Sequence, residues 1–297
     1  MDDANAQNKS TEYTLSYLSQ NTILSVLLFS NAKINLGLHV IEKRADGFHN
    51  IETVFLPIGW SDVVEALPHP DTLTLHTTGL CVDVEQEKNL CAKAFRSLQK
   101  DFNLSGADIF LHKQVPFGAG LGGGSSNATF VLRALNEIFQ LSLSQQQLAE
   151  YAGKLGSDCA FFIYNSPMLA TGRGEILTPV SVNLSGYELL VVKPPFGVST
   201  AEAYADVTPK KPVAVLQKII NQPIITWREL LVNDFELSVF AKYPRLSAIK
   251  KQLYDCGATY AAMSGSGSSM FGIFKRIPSG INENTFENCI TFRQFFS

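Results

Sequence analysis

Cysteine is sparse and unpatterned in this chain of 297 residues. Five are present, Cys81, Cys91, Cys159, Cys256 and Cys289, and no two form a C-x-x-C pair. That excludes a zinc ribbon and a thioredoxin-like redox motif, and it predicts reduced thiols in a cytoplasmic protein. The histidines are equally dispersed and include no H-E-x-x-H, so no protein metal cage is expected. Long apolar runs are missing too: Ile23 to Phe29 is too short to cross a bilayer. The opening, MDDANAQ, lacks the basic stretch of a secretory signal and carries acids that transit peptides avoid. Neither sign of charge dominates, with 24 Lys and Arg against 27 Asp and Glu and a formal net charge of −3. There is therefore no basic footprint for nucleic acid and no polybasic membrane patch. No internal repeat is visible. What remains is a globular composition, 45% hydrophobic and 17% charged, in a chain long enough for one large or two ordinary domains.

Glycine is not sparse, and it clusters. The stretch VPFGAGLGGGSSNAT, residues 115 to 129, holds five glycines between two patterned segments. Upstream, ADIFLHKQVP alternates as a strand, with Ile109, Leu111 and Val115 apolar and Pro116 ending the ladder. Downstream, Ala128, Val131, Leu132, Leu135, Ile138 and Phe139 recur at helical spacing, which predicts a helix capped by Ser125, Ser126 or Asn127. Clustered glycines let another group approach the backbone closely. A glycine loop running into a helix N-terminus offers free N–H groups and the positive end of a dipole, so it suits an anion such as phosphate. A flexible surface turn is the bland alternative, and the well-patterned helix that follows argues against it.

Three familiar phosphate loops fit poorly. Gly118 to Gly123 match G-x-G-x-x-G, but a dinucleotide fold also needs a second parallel strand ending in an acid about 20 residues later. A Walker A loop needs Lys after its last glycine, where Ser125 stands, and the protein-kinase strings H-R-D and D-F-G are absent. The remaining pattern, Pro116-x-Gly118-x-Gly120-Leu121-Gly122-Gly123-Gly124-Ser125-Ser126-Asn127-Ala128, resembles the phosphate loop of the GHMP kinases, the superfamily of galactokinase, homoserine kinase and mevalonate kinase.

Ahead of the loop, NAKINLGLHV alternates, with Ile34, Leu36, Leu38 and Val40 on one face and Asn31, Lys33, Asn35, Gly37 and His39 on the other. An edge strand with its polar face in water would explain this, yet Asn35 and Gly37 are poor strand formers. Lys33 and Asn35 would project side by side. RADGFHN follows, a turn at Asp46-Gly47 and then Phe48-His49, an aromatic beside an imidazole that can clasp a heterocyclic base or simply finish the turn. Together these segments resemble the GHMP branch whose acceptor is 4-diphosphocytidyl-2-C-methyl-D-erythritol, in the methylerythritol phosphate route to isoprenoid precursors. The resemblance runs from about Asn31 to Phe274. This chain departs from it at Phe48, where members commonly carry Tyr, and at Ser157 and Cys159.

Two further motifs complete it. EYAGKLGSDCAFFIY sets the carboxylate of Asp158 before an apolar run, where Ser157 or Asp158 would serve as an N-cap. ATYAAMSGSGSSMFGIF sets a second glycine–serine loop, Ser264 to Ser269, between two short strands. GRGEILTPV also matches, and Arg173 reads as structural. The resemblance implies a small-molecule kinase using ATP with Mg²⁺ held mainly by the nucleotide phosphates, with no metal ligand assigned. It implies that Lys33 and Asp158 are catalytic and that Asn35, Phe48, His49 and Tyr204 bind the acceptor. Pro116, Gly118, Gly120, Leu121, Gly122, Gly123, Gly124, Ser125, Ser126, Asn127 and Ala128, with Ser264, Gly265, Ser266 and Gly267, would hold the nucleotide. It also implies the fold: α/β (α+β), with a ribosomal-S5-domain-2-like N-terminal domain and a ferredoxin-like C-terminal domain. The expected division is an extension over residues 1–26, an ATP-binding domain over 27–185 and a C-terminal domain over 186–297. Helices are expected at Lys211 to Ile220 and at Leu246 to Asp255, the latter ended by Gly257, and ITFRQFF suggests a last strand. The rivals are another GHMP kinase, acting on mevalonate or homoserine, and an RNA-binding module, which the acidic balance disfavours.

Overall fold

The computed structural model describes residues 25–81, 85–212, 215–282 and 284–297. The expected extension lies almost wholly outside these, as do Ile23 and Leu24 of the expected first strand and two residues of the expected helix at 211–220. Two sheets carry the fold. The first is built on two long strands, β1 (Val26–Lys43) and β2 (His49–His69), antiparallel along their whole length. The other edge of β2 takes β4 (Gly106–Lys113) at one end and β5 (Met168–Thr171) at the other. β3 (Leu73–Gly79) lies parallel to β4, and β6 (Ile176–Pro179) antiparallel to β5. Four helices cover one face: α1 (Leu90–Phe102), α2 (Gly123–Ile138), α3 (Gln145–Leu155) and α4 (Cys159–Tyr164).

The second sheet is antiparallel in the order β10 (Ile290–Phe295), β7 (Glu188–Lys193), β9 (Met270–Phe274), β8 (Tyr260–Met263). The segment between β7 and β8 supplies α5 (Thr200–Ala205), α6 (Leu216–Ile220), α7 (Trp227–Leu230), α8 (Phe235–Lys242) and α9 (Pro244–Asp255). β7 shows why its sequence is apolar without a break. Leu189 and Val191 face the first sheet, together with Ile34, Leu36 and Ile58, while Leu190 and Val192 face α8 and α9. A strand covered on both faces has no solvent side to mark with polar residues.

Two expectations and one alternative reading need correction. The alternation of β1 holds only to Leu36: Gly37, at φ +69°, is an extra residue between the pairs Leu36–Val54 and Leu38–Thr53. Such a bulge inverts the phase of the strand. Leu38 accordingly lines the same cavity as Lys33 and Asn35. The polar face is also not in water, since Lys33, Asn35 and His39 are all buried. Finally, α2 starts at Gly123 with Gly122 as N-cap at φ +71°, ahead of Ser125, Ser126 and Asn127. The left-handed backbone that turns the loop into the helix favours glycine, which decides the cap in place of a side-chain oxygen. Of the expected second-sheet helices, α9 starts at Pro244, Gly257 follows it at φ +95°, and the described part of the other spans Leu216–Ile220.

Candidate active site

A cavity of about 750 Å³ opens where the glycine loop of the first sheet meets the glycine–serine loop of the second. The two loops touch directly. Ser264 Oγ donates to Gly120 O at 2.9 Å, and Ser269 N donates to Ala119 O at 3.1 Å. A Cβ on Gly120 would stand 3.0 Å from Gly267 O and closer still to Ser264 O, so only glycine permits this approach. Gly118, Gly120 and Gly122 all hold positive φ. Beyond them, the first intrahelical bond of α2 is Ser126 N to Gly122 O. The N–H groups of Gly123, Gly124 and Ser125 therefore lack helical acceptors, and all three residues line the cavity.

Pro116, Gly118, Gly120, Leu121 and Gly122 line it as well, and so do Gly265, Ser266 and Gly267. Ser264 is buried at the loop contact. Ser126, Asn127 and Ala128 are a correction: none reaches the cavity. Ser126 Oγ donates to Asn31 O at 2.7 Å, Asn127 turns toward Ser30 and Asp62, and Ala128 packs in the core. They are one turn too far into the helix.

Lys33 and Asp158 face one another in the cavity, Nζ to Oδ2 at 3.5 Å. Lys33 Nζ donates to Asn35 Oδ1 at 2.6 Å, and Asn35 Nδ2 donates to Thr53 Oγ1 at 2.9 Å, so the ammonium is held from the side by its strand neighbour. Burial pushes the Lys33 ammonium below its usual value of 10.5, and the nearby Asp158 charge opposes that shift. Asp158 sits at the N-cap of α4 but makes no side-chain cap bond. Its carboxylate, a third exposed, is turned to the lysine and the cavity. An ammonium and a carboxylate beside free helix-terminal N–H groups can hold a phosphate and orient a hydroxyl against it.

At the mouth, the His49 and Tyr204 rings stack at 4.7 Å and 18°, and Tyr204 packs edge-on against Phe235. Burial, and secondarily the charge of Asp158, push the Tyr204 phenol up to about 12. Phe48 is exposed and lies under the Arg173 guanidinium, 5.1 Å from ring centroid to Cζ. The three aromatic residues thus converge on one rim, but Phe48 stands apart from the His49–Tyr204 pair. Arg173 lines the cavity, where the sequence suggested a structural role. Lys113 was missed outright; it lines the cavity behind the loop. Its signal lay in the strand pattern, since it falls in phase with Ile109 and Leu111 on the buried face of β4.

Known proteins are similar to this chain in sequence and fold. Residues 89–166 match the GHMP kinases N terminal domain and residues 215–280 the GHMP kinases C terminal family. The chain is 50% identical over 252 residues to a 4-diphosphocytidyl-2-C-methyl-D-erythritol kinase of Bacteroides fragilis, covering 84% of this chain and 92% of that one. It is 46% identical over 268 residues to the protein of the same name from Cytophaga hutchinsonii, covering 89% and 99%. A crystal structure of 4-(cytidine 5'-diphospho)-2C-methyl-D-erythritol kinase superposes with a TM-score of 0.71 at 31% identity, over 83% of this chain and 89% of that one. The mevalonate kinase of Methanococcus jannaschii, at 12% identity and a TM-score of 0.66, shares the fold.

Proposed function

Because the chain belongs to the 4-diphosphocytidyl-2-C-methyl-D-erythritol kinase family of the GHMP kinases, we propose that the cavity between its two glycine loops is where that family's reaction takes place. The protein is a small-molecule kinase of isoprenoid precursor synthesis. It transfers the γ-phosphoryl group of ATP to the 2-hydroxyl of 4-diphosphocytidyl-2-C-methyl-D-erythritol, giving the 2-phosphate and ADP. The observation that carries the assignment of the site is the Lys33–Asp158 pair, 3.5 Å apart and beside the N-terminus of α2.

The roles follow from position. The N–H groups of Gly123, Gly124 and Ser125 hold the phosphates of the nucleotide, with Gly265 to Gly267 closing over them from the second sheet. Asp158 orients the acceptor hydroxyl and takes its proton as the new O–P bond forms and the bond from the γ-phosphorus to the β–γ bridging oxygen breaks. Lys33, steadied by Asn35, meets the charge on the transferred group. His49 and Tyr204, with Phe48 across the rim, receive the cytosine, and the free face of Arg173 meets the diphosphate of the acceptor.

Mg²⁺ fits this donor set in one way. Asp158 is the one carboxylate lining the cavity among the described residues, and no group of three metal-ligating side chains occurs among them. The ion would ride on the nucleotide phosphates and water, with Asp158 and the Ser125 hydroxyl within the cavity, and would neutralise phosphate charge. We place the domain boundary near residue 185, supported by the first sheet ending at Pro179 and the second beginning at Glu188. A cytoplasmic location is supported by five free cysteines.

ADP release with Mg-ATP tests the proposal, comparing the cytidyl acceptor with mevalonate, homoserine and no acceptor. Turnover with the cytidyl compound alone is expected. Turnover with mevalonate or homoserine would keep the phosphate loop and discard the cytosine rim.

A further inference from the structure

Under the glycine loop, away from the cavity, lies a buried carboxylate that the transfer scheme leaves unused. Asp62, in β2, has no solvent exposure. Its Oδ1 accepts from the backbone N–H groups of Gln114 at 2.6 Å and Val115 at 2.7 Å. Its Oδ2 accepts from Asn127 Nδ2 at 2.8 Å and is hydrogen-bonded and ion-paired to the Lys113 ammonium. Lys113 Nζ also donates to Asn127 Oδ1 at 3.0 Å, and Asn127 Nδ2 to Ser30 Oγ at 2.8 Å. Both oxygens of the carboxylate are thus fully used, each by two donors.

The partners are not scattered. Gln114 and Val115 immediately precede Pro116, where the loop begins, and Asn127 follows it within the first turns of α2. Between these points run Gly118, Gly120 and Gly122, all at positive φ, alternating with Ala119 and Leu121, which are buried in the core, and Lys33 N donates to Leu121 O at 2.9 Å. The second glycine–serine loop steadies the middle of the path. One carboxylate grips both of its ends. Burying an ion pair is a weak way to stabilise a fold, because an apolar cluster of similar size does as well. A charge with four charge-assisted bonds is, however, a stiff way to fix a distance.

The geometry points to Asp62 as the positioning residue of the phosphate loop: by tying its upstream end to its helix, it sets the span across which the N–H groups of Gly123 to Ser125 meet a nucleoside di- or triphosphate. This rests on the reading of the loop as the nucleotide site.

The test separates nucleotide from acceptor. ADP affinity is measured by calorimetry without acceptor, and KM for ATP and for the cytidyl acceptor at steady state. Asp62→Asn keeps the shape but loses the pair with Lys113; its ADP Kd and ATP KM are expected to rise at least about tenfold, with the acceptor KM within about twofold. Asn127→Ser leaves the Asp62–Lys113 pair intact and releases the helix end; a rise of about threefold with the same split is expected. A folded Asp62→Asn with ATP KM within about twofold of wild type, or with both KM values raised alike, would overturn the inference. If Asp62→Asn does not fold, Asn127→Ser decides, and an unchanged ATP KM there overturns it. Wild-type protein that fails to bind ADP would instead bring down the nucleotide reading, and the role of Asp62 with it.

Discussion

Replacing Gly120 by alanine attacks the contact on which the cavity is built. The residue holds φ +72°, where a side chain costs about 1–2 kcal/mol. The new Cβ would stand 3.0 Å from the Gly267 carbonyl oxygen and well inside contact with that of Ser264. Both obstacles are backbone, so neither swings aside, and the loops must part. Parting them breaks the bonds Ser264 Oγ to Gly120 O and Ser269 N to Ala119 O, at about 0.5–1.5 kcal/mol each. The sum is about 2–5 kcal/mol, divided between unfolding free energy and ATP binding. Gly124→Ala is the control: its Cβ would meet nothing within 4 Å, and it gains up to about 1 kcal/mol of helix propensity in α2. Because Gly124 lines the cavity, that variant should keep or gain thermal stability while its ATP KM rises. Melting curves and ATP KM for both variants check the pair. Wild-type melting and wild-type ATP KM in Gly120→Ala would refute the steric reasoning.

Asp158→Asn should bind ADP as wild type does and lose roughly 10²–10⁴ in kcat; single-turnover rates within about tenfold of wild type would remove Asp158 from the chemistry. Phe48→Ala, His49→Ala and Arg173→Ala should each raise the acceptor KM roughly 3–10-fold and leave the ATP KM unchanged; an ATP effect of equal size would contradict the assignment of the rim. Burial lowers the Lys33 value while Asp158 opposes the shift, so the ammonium is lost at a lower pH than from an exposed lysine. The pH profile of kcat should therefore fall on an alkaline limb below 10.5. In Asp158→Asn the opposing charge is gone, and the limb of the residual activity should lie lower still. A limb at or above 10.5 in the wild type would show that Lys33 is not the group titrating.

Local pattern carried much of this molecule. The helical spacing of α2 and the paired strands around Ser264 to Ser269 are short-range features that form where their period predicts, and so does β4, except that it ends at Lys113, short of Val115 and Pro116. Lys33 and Asn35 were legible because a strand sets residues two apart on one face. The Gly37 bulge was not legible, since an extra residue shows only against the partner strand. Arg173 depends on the turn between β5 and β6 carrying it over Phe48, a contact between segments far apart in sequence. Asp62 gave least warning. It stands in WSDVVE, an unremarked strand segment, and all the partners of its carboxylate are 51 or more residues away. Asn127 was read with the wrong neighbours for the same reason: the helix began earlier than its serines suggested, and the side chain turned inward.

The charges lining the cavity are already matched within the protein. Lys33 faces Asp158 at 3.5 Å, Lys113 is paired with Asp62, and Arg173 lies 3.4 Å from Glu175. Little net positive charge is left over to attract an anion from a distance. On the proposed reading a polyphosphate is met there by oriented N–H dipoles at contact range, without the surplus of Lys and Arg that displaces the counterions condensed on nucleic acid. Rising ionic strength should accordingly weaken nucleotide binding only slightly. Long polyanions, whose affinity for basic surfaces depends on that displacement, find no such advantage here, so the site stays open to a dilute metabolite amid an excess of nucleic acid.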